Sequence, residues 1–135
     1  MVRIIPLQTI DYPRAFKTDF VLAYHSFNGE LKELLDKSGY TDIFTKKYFR
    51  GLRFLENLKS RCIEQSKIFE KLKNGEGLYS MRLHGAKNIR ILFDFQVCHG
   101  KEIAFLYVCF EERKTKDYSS EIQTAIKRRN EIKGI

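Results

Sequence analysis

After Lys73-Asn74-Gly75 the hydrophobic period of this chain changes from a three- and four-residue repeat to a repeat of two. That change marks a passage from helices to strands. In Leu78–His84, Tyr79, Met81 and Leu83 share one face while Ser80, Arg82 and His84 share the other. A turn at Gly85-Ala86-Lys87 leads to Asn88–Phe95, where Ile89, Ile91, Phe93 and Phe95 form the core side and Arg90, Leu92 and Asp94 the opposite side. One sheet face therefore collects Arg82, His84 and Arg90. His99-Gly100-Lys101 reads as a hairpin turn, and Glu102–Phe110 is apolar on both sides, as a central strand covered on both faces would be.

Before the change, Val2–Gln8 is rich in Ile and Leu and predicts a short strand. Asp11-Tyr12-Pro13 reads as a helix start, followed by Phe16, Phe20, Tyr24, Phe27, Leu31 and Leu34 at helical steps, with a bend at Asn28-Gly29 and a stop at Ser38-Gly39. Thr41 or Asp42 is placed to cap a second helix, whose stripe is Phe44, Tyr48, Leu52, Leu55 and Cys62. The short connection predicts an antiparallel hairpin. Its second helix carries Lys46, Lys47, Arg50, Arg53, Lys59 and Arg61 on the polar side, which reads as a solvated face. From about Tyr118 a last helix sets Ile122, Ala125, Ile126 and Ile132 to one side, with Lys127, Arg128 and Arg129 in its later turns.

At 135 residues the chain is expected to be one domain of the α+β class. Charge is uneven along it: residues 1–45 carry five Lys/Arg and six Asp/Glu, whereas residues 46–135 carry twenty and eleven. The net charge of +8 suggests an acidic partner such as nucleic acid, an anionic membrane surface or an acidic protein. No uncharged apolar stretch reaches the ~18 residues of a membrane span, and the opening Met-Val-Arg-Ile-Ile-Pro is too short for a secretory signal, so a cytoplasmic protein without membrane contact is expected. Cys62, Cys98 and Cys109 lack CxxC spacing, and His25, His84 and His99 are scattered; neither a disulfide framework nor a metal site is expected, and no cofactor is implied.

Three segments carry a likeness to a known family. They are Gly77-Leu78-Tyr79-Ser80-Met81-Arg82, then Asn88-Ile89-Arg90-Ile91-Leu92-Phe93, then Phe110 to Ala125, in which Phe110, Arg113, Lys116, Glu121, Ile122 and Ala125 match in type. In this order they resemble the RelE/ParE toxin superfamily, in its phage-derived HigB-like branch, over about residues 43–130. Glu112 stands where that branch has the first Lys of a pair, Ser80 where it has Glu, and Tyr118 where it has Pro. The resemblance implies a RelE/ParE-like fold: an N-terminal strand and helical hairpin, a small antiparallel sheet, and a C-terminal helix. It also implies a type II toxin that cleaves messenger RNA, usually on the ribosome, and is restrained by a cognate antitoxin, commonly a small helix-turn-helix protein.

Such cleavage needs the ribose 2′-hydroxyl to lose its proton, the pentavalent phosphorus to be stabilised and the 5′-oxygen to gain a proton. Arginine suits the second task because its planar fork grips two phosphate oxygens. Arg90, which matches the family's sheet arginine, is the first candidate and Arg82 the second. Lys116 and His84 are candidates for proton transfer, while Arg113, Lys114, Lys87 and Tyr118 are candidates for holding RNA. Two other functions fit the same scaffold: a ParE-like inhibitor of DNA gyrase with no nuclease site, and an inactive nucleic-acid-binding phage accessory protein.

Overall fold

The computed structural model describes residues 7–133. In chain order, strands β1 (Leu7–Gln8) and β2 (Val21–Tyr24) precede helices α1 (Phe27–Ser38) and α2 (Thr41–Leu58). A 3-10 segment, Lys59–Glu64, leads to β3 (Phe69–Lys71), β4 (Tyr79–Leu83), β5 (Ile89–Cys98), β6 (Lys101–Glu111) and helix α3 (Ser119–Lys133). The strands form one sheet in the order β1-β2-β6-β5-β4-β3. The architecture is α+β, as expected. The sheet is mixed and not wholly antiparallel, because β2 runs parallel to β6 while the other neighbours are antiparallel.

The helix expected from residue 11 begins only at Phe27. Val21–Tyr24, a fully apolar run, pairs with Ala104–Leu106 instead, and ladder bonds to a central strand outweigh a helical spacing that Phe16, Phe20 and Tyr24 satisfy by coincidence. The preceding loop is pinned: the Asn28 side-chain oxygen accepts from the Asp11 and Tyr12 amides at 3.0 and 3.3 Å, and the Phe16 amide donates to the Ile10 carbonyl at 3.0 Å. At the other end, Gly39 takes the left-handed conformation that closes α1 (φ 80°). Thr41 does not cap α2. Its hydroxyl donates back to the Leu35 carbonyl at 3.0 Å, and Tyr40 holds the N-cap position. Of the strand expected over Val2–Gln8, Leu7–Gln8 pairs with β2, and the rest lies outside the described residues.

Each sheet face has its own core. Met81, Leu83, Ile89, Ile91 and Phe93 pack with Phe27, Leu31, Leu35, Phe44, Tyr48, Leu52 and Leu55 of α1 and α2. On the opposite face Leu78, Leu92, Phe105, Tyr107, Val108 and Phe110 meet Ala125, with Ile122 and Ile126, of α3. Burying such a side chain contributes ~1.5–3 kcal/mol, so these two layers fix how the sheet faces are used. A bulge in β6 shifts the register between the Leu92–Val108 and Phe93–Leu106 pairs. The extra residue, Tyr107, therefore joins Val108 on the α3 face, and its hydroxyl donates to buried Asp94 at 2.7 Å.

Candidate nucleic-acid interface

Arg82 and Arg90 stand directly opposite each other in the β4–β5 ladder, so both point to the α3 face as the alternation predicts. Two like charges at such a position repel, and the structure relieves this by neutralising only one of them. Arg90 is 3% exposed. One of its terminal nitrogens donates to Glu70 at 3.0 Å and to the Ser80 hydroxyl at 3.1 Å, and the other donates to Glu112 at 3.4 Å. Glu112 also accepts from Tyr118 (2.8 Å) and Asn88 (3.0 Å). Burial raises the Glu112 carboxyl, but these hydrogen bonds and the Arg90 charge more than reverse it and hold the pKa at about 2. Arg90, the first candidate for a substrate phosphate, is thus engaged within the protein. Its fork is already filled by carboxylates from β3 and from the residue after β6.

Arg82 keeps its charge free. Its backbone amide donates to the Ile68 carbonyl at 2.7 Å, and its Nε is buried without a partner. Beside it lies a cleft of about 290 Å³ lined by Lys47, Arg50, Lys67, Ile68, Arg82 and His84. No carboxylate lines this cleft, and among the described residues none of its Lys or Arg side chains forms an ion pair. Lys47 donates to the His84 carbonyl, which ties α2 to the end of β4 and leaves the exposed imidazole at the rim. The guanidinium of Arg50 sits 5.6 Å from the Phe54 ring centre, a contact that positions the charge without cancelling it.

On its other side Arg82 lines a second cleft, about 320 Å³, with Lys87, Asn88, Glu111, Glu112, Arg113, Lys114 and Lys116. Here acids intrude. Lys87 pairs with Glu111 at 3.2 Å, and Arg113 grips Glu121 through both terminal nitrogens at 3.1 and 2.7 Å. Arg113 thus fastens the basic loop to α3. Lys114 and Lys116 are exposed and form no ion pair among the described residues. Tyr118 is engaged with Glu112, packs edge-on to Phe110 and has its phenol pKa raised by burial and by that bond.

The predicted residues consequently divide. Arg82 and His84 share the acid-free cleft; Lys87, Arg113, Lys114 and Lys116 gather at the neighbouring one; Arg90 and Tyr118 lie beneath, in the ion-pair network. Lys47, Arg50 and Lys67 complete the site. The first two are visible in the sequence as part of a basic helix face, but nothing in the spacing brings that face against His84. Lys67 precedes a three-residue strand with no periodicity to announce it. Elsewhere the cysteines are free thiols, and burial pushes Cys62 and Cys109 up to about 12, which removes them as nucleophiles. Among the described residues no cluster of His, Cys, Asp or Glu is arranged to hold a metal ion, and no helix is long and apolar enough to cross a membrane.

No family model, curated protein or solved structure matches this chain.

Proposed function

We propose that this protein is an RNA-binding endoribonuclease that cleaves messenger RNA, the toxin of a toxin-antitoxin pair of the RelE/HigB kind. The observation that carries the reading is the acid-free cleft in which Arg82 and His84 lie beside Lys47, Arg50 and Lys67. A cavity walled by cations and a ring nitrogen, with no carboxylate, selects a phosphodiester over a metal ion or a cationic ligand. In the reaction the ribose 2′-oxygen attacks phosphorus and loses its proton, the bond to the 5′-oxygen breaks, and that oxygen is protonated as it leaves. The products are a 2′,3′-cyclic phosphate and a 5′-hydroxyl. Arg82 stabilises the charge on the non-bridging oxygens, Lys47, Arg50 and Lys67 hold flanking phosphates, and His84 transfers a proton. Arg90 acts as a positioning residue, because its ion pairs engage the Glu70 and Glu112 carboxylates. An acidic segment of an antitoxin would silence the protein by covering the same cations.

A second reading draws on one observation: the acid-free cleft holds a single imidazole and no carboxylate, whereas the reaction moves two protons. On that reading the protein binds nucleic acid, or a partner such as gyrase, without cutting. End-labelled messenger RNA incubated with and without translating ribosomes separates the two. Wild type should produce new cuts, and Arg82→Ala and His84→Ala should each lower the cleavage rate by about 100-fold or more, as for loss of one charge-stabilising or proton-transferring group. Replacing the 2′-hydroxyl at the cut site by hydrogen should abolish cleavage. Intact RNA throughout, with binding retained, would leave the binding-only reading.

A further inference from the structure

A third cation cluster lies across α2 from the acid-free cleft and takes no part in the proposed chemistry. We propose that Arg14, Lys46 and Arg53 form a second phosphate-binding subsite, which holds the same single-stranded RNA after it has crossed the outward face of α2. The inference rests on the RNA reading above. Its cleft, about 140 Å³, is lined by Pro13, Arg14, Thr45, Lys46, Phe49 and Arg53, again with no carboxylate. Arg14 has its guanidinium carbon 4.7 Å from the Phe49 ring centre, a cation–π contact that positions the charge without cancelling it. The loop that carries it is pinned by the Asn28 side chain and by the Phe16–Ile10 backbone bond, so the cation is presented from an ordered support.

Helical geometry joins the two clefts. Lys47 faces the first and Phe49 the second, roughly 200° apart around the helix. Lys46, Arg50 and Arg53, all exposed, fill the outward arc between them at steps of four and three residues. None forms an ion pair among the described residues, although Asp42 and Glu56 lie on the same helix. A face needed only for solubility looks different in this very chain. On α1, Lys32 pairs with Asp36 and Lys37 with Glu33, each one turn apart. The α2 stripe keeps its charge uncompensated between two acid-free clefts, which fits a polyanion that runs from one to the other. A single strand follows such a convex face without the bending cost of a duplex.

The test uses fluorescence anisotropy with 2′-O-methyl oligouridine, which cannot be cleaved, at lengths of about 5 and about 15 nucleotides. Wild type should bind the longer strand at least tenfold more tightly. The exposed-site variant Arg14→Gln/Lys46→Gln/Arg53→Gln should lose most of that gain, leave the short strand unchanged, and lower the salt slope for the long strand by about 2, at ~0.7 per phosphate contact. Arg82→Gln should weaken both lengths. An unchanged long-strand affinity in the triple variant, or equal weakening of both lengths, overturns the second subsite while the RNA reading stands. Failure of wild type to bind either length overturns both. Duplex DNA or phosphatidylglycerol vesicles that lose binding in the triple variant, when RNA does not, would assign the stripe to that partner and reject the proposal. Unaltered circular-dichroism melting of the triple variant, and of Arg14→Gln alone, establishes that folding is intact.

Discussion

Glu112 is the residue on which the buried network turns. Its carboxyl sits 3.4 Å from Arg90 with side-chain exposures of 7% and 4%, so neither charge has water to fall back on. The sign of its pH dependence follows directly. The folded pKa of about 2 lies below the ordinary 4.5, so the stabilisation is fully present above the unfolded value and is lost as pH falls through about 2. Its size is on the order of 3 kcal/mol. Urea unfolding from pH 7 down to pH 2 should therefore show stability falling by up to ~1.4 kcal/mol per pH unit from this one group. Glu112→Gln should start less stable at pH 7 and lose part of that slope; a variant with the wild-type slope would show that the acid response resides elsewhere. At this scale the sequence was half legible. Alternation placed Arg90 on the correct face, but its burial depends on Glu70, which enters from a short strand no pattern disclosed, and on Glu112, which lies 22 residues away.

Among the elements, α2 shows how closely the helical layer approaches the sheet. A Cβ built at Gly51 would lie 2.6 Å from the Met81 sulfur and 3.1 Å from its methyl, so the helix rests on β4 where a side chain is missing. The contact is with the flexible end of a thioether, which can yield, and alanine gains ~1 kcal/mol of helix propensity over glycine. Gly51→Ala should accordingly change unfolding free energy by less than about 1 kcal/mol, whereas Gly51→Leu should destabilise by about 1–3 kcal/mol or more through overpacking. Chemical denaturation checks both, and a strongly destabilised alanine variant would mean that Met81 cannot move. Strands β4 and β5 and helices α2 and α3 were legible because each repeats its period over several residues, and β6 because an apolar run on both sides follows a hairpin turn. Residues 11–24 were not, because Val21–Tyr24 becomes a strand only through a partner some 80 residues further on, and local spacing carries no trace of that pairing.

For the whole molecule, the decisive property is where the excess positive charge goes. Several acids of the basic two-thirds are engaged in ion pairs: Glu70 and Glu112 with Arg90, Glu121 with Arg113, and Asp94 and Glu76 with Arg129. Among the described residues, cations without ion pairs line a band of three clefts, from Lys114 and Lys116 past Arg82 and over α2 to Arg14, while Lys17, Lys71, Lys73, Lys101 and Lys127 are exposed outside it. Such a band costs folding energy through self-repulsion, and a ligand that neutralises it must return that energy. Stability should therefore rise with salt from low ionic strength, as screening over ~10 Å at 0.1 M weakens the repulsion. A polyanion should do more than salt of equal strength, by ~2.7 kcal/mol when present at 100 times its Kd. With no tryptophan in the chain, melting is best followed by far-ultraviolet circular dichroism, using oligouridine or polyphosphate against matched sodium chloride. A larger rise with the polyanion, reduced by Arg50→Gln/Lys67→Gln, would trace the repulsion to the acid-free cleft. Equal effects of polyanion and salt would show that the band is merely screened by counter-ions and is not kept free for a ligand.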